Sequence, residues 1–148
     1  MFHFSLQRVL DFRRQLREKA ESEVRGVQNA LRSERSALQS REEEKDQQNR
    51  MLHARAVGRQ INVNDLVMAS GYLDALEVVI GEQRSAIRLL EQQLAEKMEI
   101  LVIASQQEKV MERLKEHELK AYREKQTRVE NAFMDEVAIR GYRYEAEE

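Results

Sequence analysis

The chain has no cysteine, no proline and no tryptophan, only five glycines, and 5% aromatic residues in a length of 148. Without cysteine there is no disulfide framework and no thiolate metal site, an absence compatible with the cytoplasm. Without proline, nothing in the sequence forces a helix to kink or stop. The length suits one globular domain, but so few aromatics leave little material for a thick core. No apolar run approaches the eighteen or so residues of a membrane span, and the N-terminus carries no secretory apolar region. The glycines at 26, 58, 71, 81 and 141 stand alone, so no phosphate-cradling loop is encoded. A formal net charge of -2 excludes a strongly basic nucleic-acid binder at the level of the whole chain.

What is present is charge, 35% of all residues, and periodicity. Leu66, Leu73, Ile80, Ile87, Leu94 and Leu101 recur every seventh residue without a break. Such a repeat of branched aliphatics is the seam of a left-handed coiled coil, because 3.5 residues per turn keeps one stripe facing a partner helix. Ala69, Leu76, Leu90 and Ala104 fit the second row of that seam, while Gln83 and Lys97 interrupt it. The chain is expected to be a rod whose function lies in contacts along its sides and ends.

The periodicity divides the chain into two helices. The first is expected from about Ser5 to Val57, with Leu6, Val9, Leu16, Ala20, Val24, Val27, Leu31 and Leu38 on one stripe. From Gln39 to Arg50 there is no aliphatic residue, and charges three or four apart sustain a solvated helix at roughly 0.2–0.5 kcal/mol per pair. Gly58 and the run Ile61-Asn62-Val63-Asn64-Asp65 form the best break, since glycine ends a helix cheaply and Asn or Asp caps the next one. The second helix is expected from about Asp65 to Arg140, with Gly141 as terminator and an acidic tail to 148. A short connection folds long amphipathic helices back on each other. The expected fold is all-α, one antiparallel coiled-coil domain over 1–148.

Two features of that hairpin bear on function. With the turn centred near Asn62, residue 4 lies opposite a residue near 120, so the last 20 or so residues outrun the first helix by about 30 Å. This overhang carries Tyr122, Val129, Phe133, Val137, Tyr142 and Tyr144, and it is either an insertion tip or a frayed tail. The second helix also has more apolar groups than a narrow seam needs: Met68, Tyr72, Val78 and Val79, then Met98, Ile100, Val102 and Ile103. Tyr72, Leu76, Val79 and Gln83 follow each other by four, three and four. They form either a binding stripe beside the seam or part of a wide core.

Signals for chemistry are poor. His3, His53 and His117 have no carboxylate or second histidine at ligand spacing, so no zinc site is expected. Glu42-Glu43-Glu44 and Glu145-Ala146-Glu147-Glu148 read as a solvated face and an acidic tail, since nothing builds a cleft around them. The chain is expected to be a non-enzyme without cofactor. Arg8, Arg13, Arg14 and Arg17, interleaved with Phe2, Phe4, Leu6, Val9, Leu10 and Phe12, allow a rival reading as a basic amphipathic helix on an anionic membrane surface. A passive coiled-coil scaffold is the other rival. Nucleic acid is not expected as a partner, because Glu18, Glu21 and Glu23 follow the arginines at once.

The opening Phe4-Ser5-Leu6-Gln7-Arg8-Val9-Leu10-Asp11-Phe12-Arg13 resembles the start of the flagellar FliJ family, an aromatic followed by Leu-x-x-Val-Leu-x-aromatic-Arg. Tyr72-Leu73-Asp74-Ala75-Leu76-Glu77 is similar to its aromatic-aliphatic-x-x-Leu-Glu stretch. Lys109-Val110-Met111-Glu112-Arg113-Leu114-Lys115 is similar to its Lys-x-x-Glu-x-Leu stretch. Glu130 followed by Asp135-Glu136-Val137-Ala138 and Arg140 resembles its closing motif. One departure is that the family commonly has Gln or Lys where Asn131 to Met134 stand, and Phe133 makes this end more apolar.

The resemblance implies a coiled-coil stalk of the flagellar type III export apparatus, similar to the gamma stalk of rotary ATP synthases. Members of the family dock in the pore of a hexameric export ATPase and promote its assembly and turnover. They also contact the cytoplasmic domain of the export gate and pick up emptied export chaperones. Carried onto this chain, the ATPase-facing residues are expected at Arg128, Val129, Glu130, Phe133, Asp135, Glu136, Val137 and Arg140, and the gate-facing stripe at Tyr72, Leu76, Val79 and Gln83. The implied location is cytoplasmic, peripheral to the inner membrane at the flagellar base and held there through partners.

Overall fold

A computed structural model describes residues 1–146 of the chain. Two helices account for nearly all of it: α1, Gln7–Val57, of 51 residues, and α2, Val63–Ala146, of 84. The described residues hold no strand, and the fold is the all-α antiparallel coiled coil that the seven-residue repeat encodes. No helix among the described residues is long and apolar enough to cross a membrane.

The connection between the helices follows from its hydrogen bonds. Gly58 N–H still donates to Ala54 O at 3.0 Å, so this glycine closes the last regular turn of α1. Arg59 N–H then donates to Ala56 O at 3.3 Å and Gln60 N–H to Arg55 O at 3.1 Å, the paired bonds of a Schellman motif. The left-handed residue of that motif is Arg59, at φ 54°, and not the glycine before it. Asn62 caps α2: its Oδ1 accepts from Asp65 N–H at 2.8 Å, and its carbonyl accepts from Leu66 N–H at 3.0 Å. The second helix therefore starts at Val63 rather than Asp65.

At the far end, α2 continues through Gly141, the expected terminator. An isolated glycine costs a helix about 1 kcal/mol relative to alanine, and neither a proline nor, among the described residues, a left-handed residue follows to end it. Arg143 lies in the last turn, where its charge suits the carbonyl end of the helix dipole. Of the expected acidic tail, Glu147 and Glu148 lie outside the described residues.

The chain forms two compact units, Lys19–Leu101 and Met1–Glu18 with Val102–Glu148. In the first, Ala20, Val24 and Leu31 of α1 and Leu76, Ile80 and Ile87 of α2 are buried at successive levels of the seam. Leu66 heads the heptad row but is 41% exposed. Next to the turn the helices leave a cleft of about 120 Å³, lined by Met51, Leu52, Ile61, Ala69 and Leu73 among others, because Ala69 is too small to fill the seam there. In the other unit, Phe4, Leu10 and Ala104 are buried, and Leu10 is the one large side chain among the described residues that is fully buried.

Candidate functional site

Continuing the two rows of the seam along α2 places polar residues at core positions. Gln83 and Lys97 are the two interruptions visible in the aliphatic repeat; Glu108 and Lys115 lie seven and fourteen residues beyond Leu101. Each is matched by a partner on α1. The Gln83 side-chain amide donates to the Glu34 carboxylate at 3.1 Å, and its oxygen accepts from Arg41 at 3.2 Å. Lys97 Nζ lies 3.1 Å from Glu23, and Lys115 Nζ 2.8 Å from Gln7 Oε1. Glu108, a buried carboxylate, accepts from Arg14 Nε at 3.2 Å and from Arg17 Nε. Burial disfavours its charge, but the two guanidinium hydrogen bonds and their positive charges outweigh that and hold the carboxyl below its ordinary value. No fully buried side-chain polar atom among the described residues lacks a partner.

These layers account for most of the basic N-terminal cluster. Arg13 donates to Gln107 at 2.6 Å, Arg14 reaches Glu112 at 3.5 Å as well as Glu108, and the aromatic Phe4 is 3% exposed. The arginines set beside aromatics in the sequence thus belong largely to the seam of their own unit, which leaves little of the cationic face for an anionic lipid surface.

The stripe of Tyr72, Leu76, Val79 and Gln83 is divided by the structure. Leu76 and Gln83 are buried in the seam, Val79 is half-buried, and Tyr72 stands 47% exposed. The Tyr72 hydroxyl donates to the Glu44 carboxylate across the seam, and that hydrogen bond, with desolvation and the nearby negative charge, raises the phenol pKa. Tyr72 is thus the exposed member of the stripe, and Met68, one turn before it, is exposed as well, at 74%.

The end of α2 is different in kind. Tyr122 packs on Phe2 with ring centroids 5.6 Å apart, and this is the last aromatic layer of its unit. From Arg123 to Ala146 every residue is exposed. Val129, Phe133 and Val137 are 63%, 64% and 49% exposed, and Arg128, Glu130, Asp135, Glu136 and Arg140 stand around them in solvent. Arg140 pairs with Glu136 at 2.6 Å, a contact within the helix. All eight residues expected at the ATPase-facing end lie together on this one helical segment.

The sequence model of the flagellar FliJ protein matches residues 2–147. The chain belongs to the flagellar FliJ family. The fold of this FliJ family member is shared with the solved structure of a YscO homologue from Chlamydia trachomatis, at TM-score 0.64 and 17% identity over 100% of this chain and 99% of that one. No curated protein matches the chain. Sequence reading of this FliJ-type chain missed the polar layers at Glu108 and Lys115. Extending the aliphatic row by whole heptads past Leu101 finds both.

Proposed function

We propose that this chain is a non-enzymatic stalk of the flagellar protein export apparatus, which docks its α2 end in the hexameric export ATPase and promotes assembly and activity of that ring. Membership of the FliJ family supports the flagellar export setting. The observation that carries the docking end is the run from Arg123 to Ala146: a helix with apolar groups, no companion from α1, and every residue exposed. A helix in this state gains by entering a sleeve that covers Val129, Phe133 and Val137 while leaving water or counter-charges to Arg128, Glu130, Asp135, Glu136 and Arg140. The chain supplies no chemistry in this reading; nucleotide is bound and hydrolysed by the ring.

The contact with the cytoplasmic domain of the export gate is assigned to the surface around Tyr72 and Val79, with Leu76 and Gln83 supporting it from within the seam. Exposed aromatics are the usual anchors of such interfaces. Export chaperones are the third class of partner, and location at the flagellar base follows from these contacts rather than from a membrane segment of the chain. The testing experiment is a cut after Glu124. The shortened chain keeps its helicity, because none of the described residues it loses is buried, and fails to stimulate ATP hydrolysis by the ring. A shortened chain that stimulates as well as the intact one refutes the docking end.

A further inference from the structure

The exposed face of α2 that starts at Tyr122 has an internal symmetry. Phe133 has a valine four residues to either side, Val129 and Val137. Seven residues to either side stand long polar side chains, Gln126 and Arg140, and eleven to either side stand Tyr122 and Tyr144. Offsets of four, seven and eleven residues return to the same side of a helix within about 40°, so all seven share one face. All of these seven but Tyr122, which is half-buried, are exposed.

A stripe that reads alike in both directions has a specific geometric use. In an antiparallel pair of identical helices, each residue faces its mirror image about the two-fold axis. We propose that this face pairs with the same face of a second copy of the chain, antiparallel, with the two-fold axis at Phe133. Phe133 then meets Phe133, Val129 meets Val137, and Gln126 meets Arg140, whose guanidinium can donate to the amide oxygen. Gln126 spends its NH₂ on the Tyr122 hydroxyl, at 2.8 Å, which leaves that oxygen open.

Charge agrees with the orientation. Between Arg123 and Ala132 there are three basic and two acidic residues, and between Met134 and Ala146 two basic and three acidic. The segment is neutral overall, so two copies do not repel, and the antiparallel arrangement sets the slightly positive half against the slightly negative one. The existing seam also continues into the pairing. Tyr144 of the second copy falls opposite Tyr122, which is where Phe2 closes the intramolecular seam. A shallow groove of about 330 Å³ beside Tyr122, Lys125, Gln126, Val129 and Glu130 is filled by the second copy's last turns. Pairing covers the same side chains as a ring would, so the paired form and the ring-bound form exclude each other.

The absence of cysteine makes the symmetry measurable, since each introduced thiol is unique. Under mild oxidation of the full chain, Phe133→Cys gives a covalent dimer, because the two sulfurs meet at the axis. Val129→Cys alone does so at least about tenfold more slowly: equivalent positions lie eight residues apart along the pair, about 12 Å, beyond the roughly 7 Å a disulfide can span. Mixing Val129→Cys with Val137→Cys restores fast cross-linking. Sedimentation of the unsubstituted chain shows a dimer that strengthens with concentration, and Phe133→Asp is monomeric with unchanged circular dichroism. The proposal is overturned if Val129→Cys alone cross-links as fast as Phe133→Cys, if Phe133→Asp leaves a dimer intact, or if the unsubstituted chain is monomeric up to about 1 mM, the weak limit of a specific contact. No ATPase enters these measurements, so they succeed or fail apart from the docking reading.

Discussion

Arg17 and Glu108 form a hydrogen-bonded ion pair inside the helix seam, where the heptad row starting at Leu66 would otherwise set an aliphatic side chain. Glu108 is 6% exposed, and Arg14 holds its other oxygen. A part-buried pair of this kind adds less stability than an aliphatic layer of equal volume, but removing the arginines leaves the buried carboxylate uncompensated. It therefore fixes which residues face each other more than it raises the free energy of folding.

The pair gives the first prediction, a pH dependence. The Glu108 carboxyl is held below its ordinary value of 4.5 in the folded chain, so its contribution to stability is fully present above 4.5 and is lost as the pH falls through the lowered folded value. Glu108→Gln is expected to cost about 1–3 kcal/mol at pH 7. Urea titrations of both chains should show that gap closing below pH 4.5. A gap that stays constant down to pH 3 would mean that protonated Glu108 serves the two arginines as well as the carboxylate does.

A second prediction concerns the turn. Arg59 holds a left-handed conformation that costs a side chain about 1 kcal/mol, part of which glycine returns through its freer unfolded state. Arg59→Gly should leave the melting temperature unchanged or raise it slightly. Asn62→Ala removes the cap on Asp65 N–H and should lower stability by about 1 kcal/mol. Equal effects from the two substitutions, read by thermal melting, would contradict this account of the connection.

Leu76 and Tyr72 separate core from surface. Leu76→Ala should destabilise by about 2–5 kcal/mol, since it opens a cavity in the seam. Tyr72→Ala, at an exposed position, should stay within about 0.5 kcal/mol of the parent chain. If Tyr72 anchors the export-gate contact, the same substitution should weaken binding to the gate's cytoplasmic domain at least about tenfold in a titration. Unchanged binding by Tyr72→Ala combined with Val79→Ala would move the gate contact elsewhere on the chain.

Helix periods and capping residues made the fold legible. Ile80 and Ile87 lie buried where the heptad row puts them, and Asn62 starts α2 where a capping residue was expected. What escaped sequence reading depends on partners far away in the chain. Gln83 looks like a flaw in the row until Glu34 and Arg41 are brought beside it, and Glu108 looks like one more surface charge until Arg14 and Arg17 surround it. Gly58 marked the end of α1, yet nothing local distinguished it from Arg59 as the residue that turns left-handed. At the candidate site, the overhang could be counted from the turn. The division of the Tyr72 stripe was legible in part, because Leu76 and Gln83 already stand on the second row of the seam.

The central claim is that the α2 end, and not the turn, enters the export ATPase. With no native cysteine, a thiol-reactive photo-cross-linker can be carried at one chosen place. Placed through Val137→Cys it should couple the chain to the ATPase ring during turnover, while the same reagent placed through Val63→Cys should not. Cross-linking to the ring from Val63→Cys, with none from Val137→Cys, would contradict the account and place the docking end at the turn.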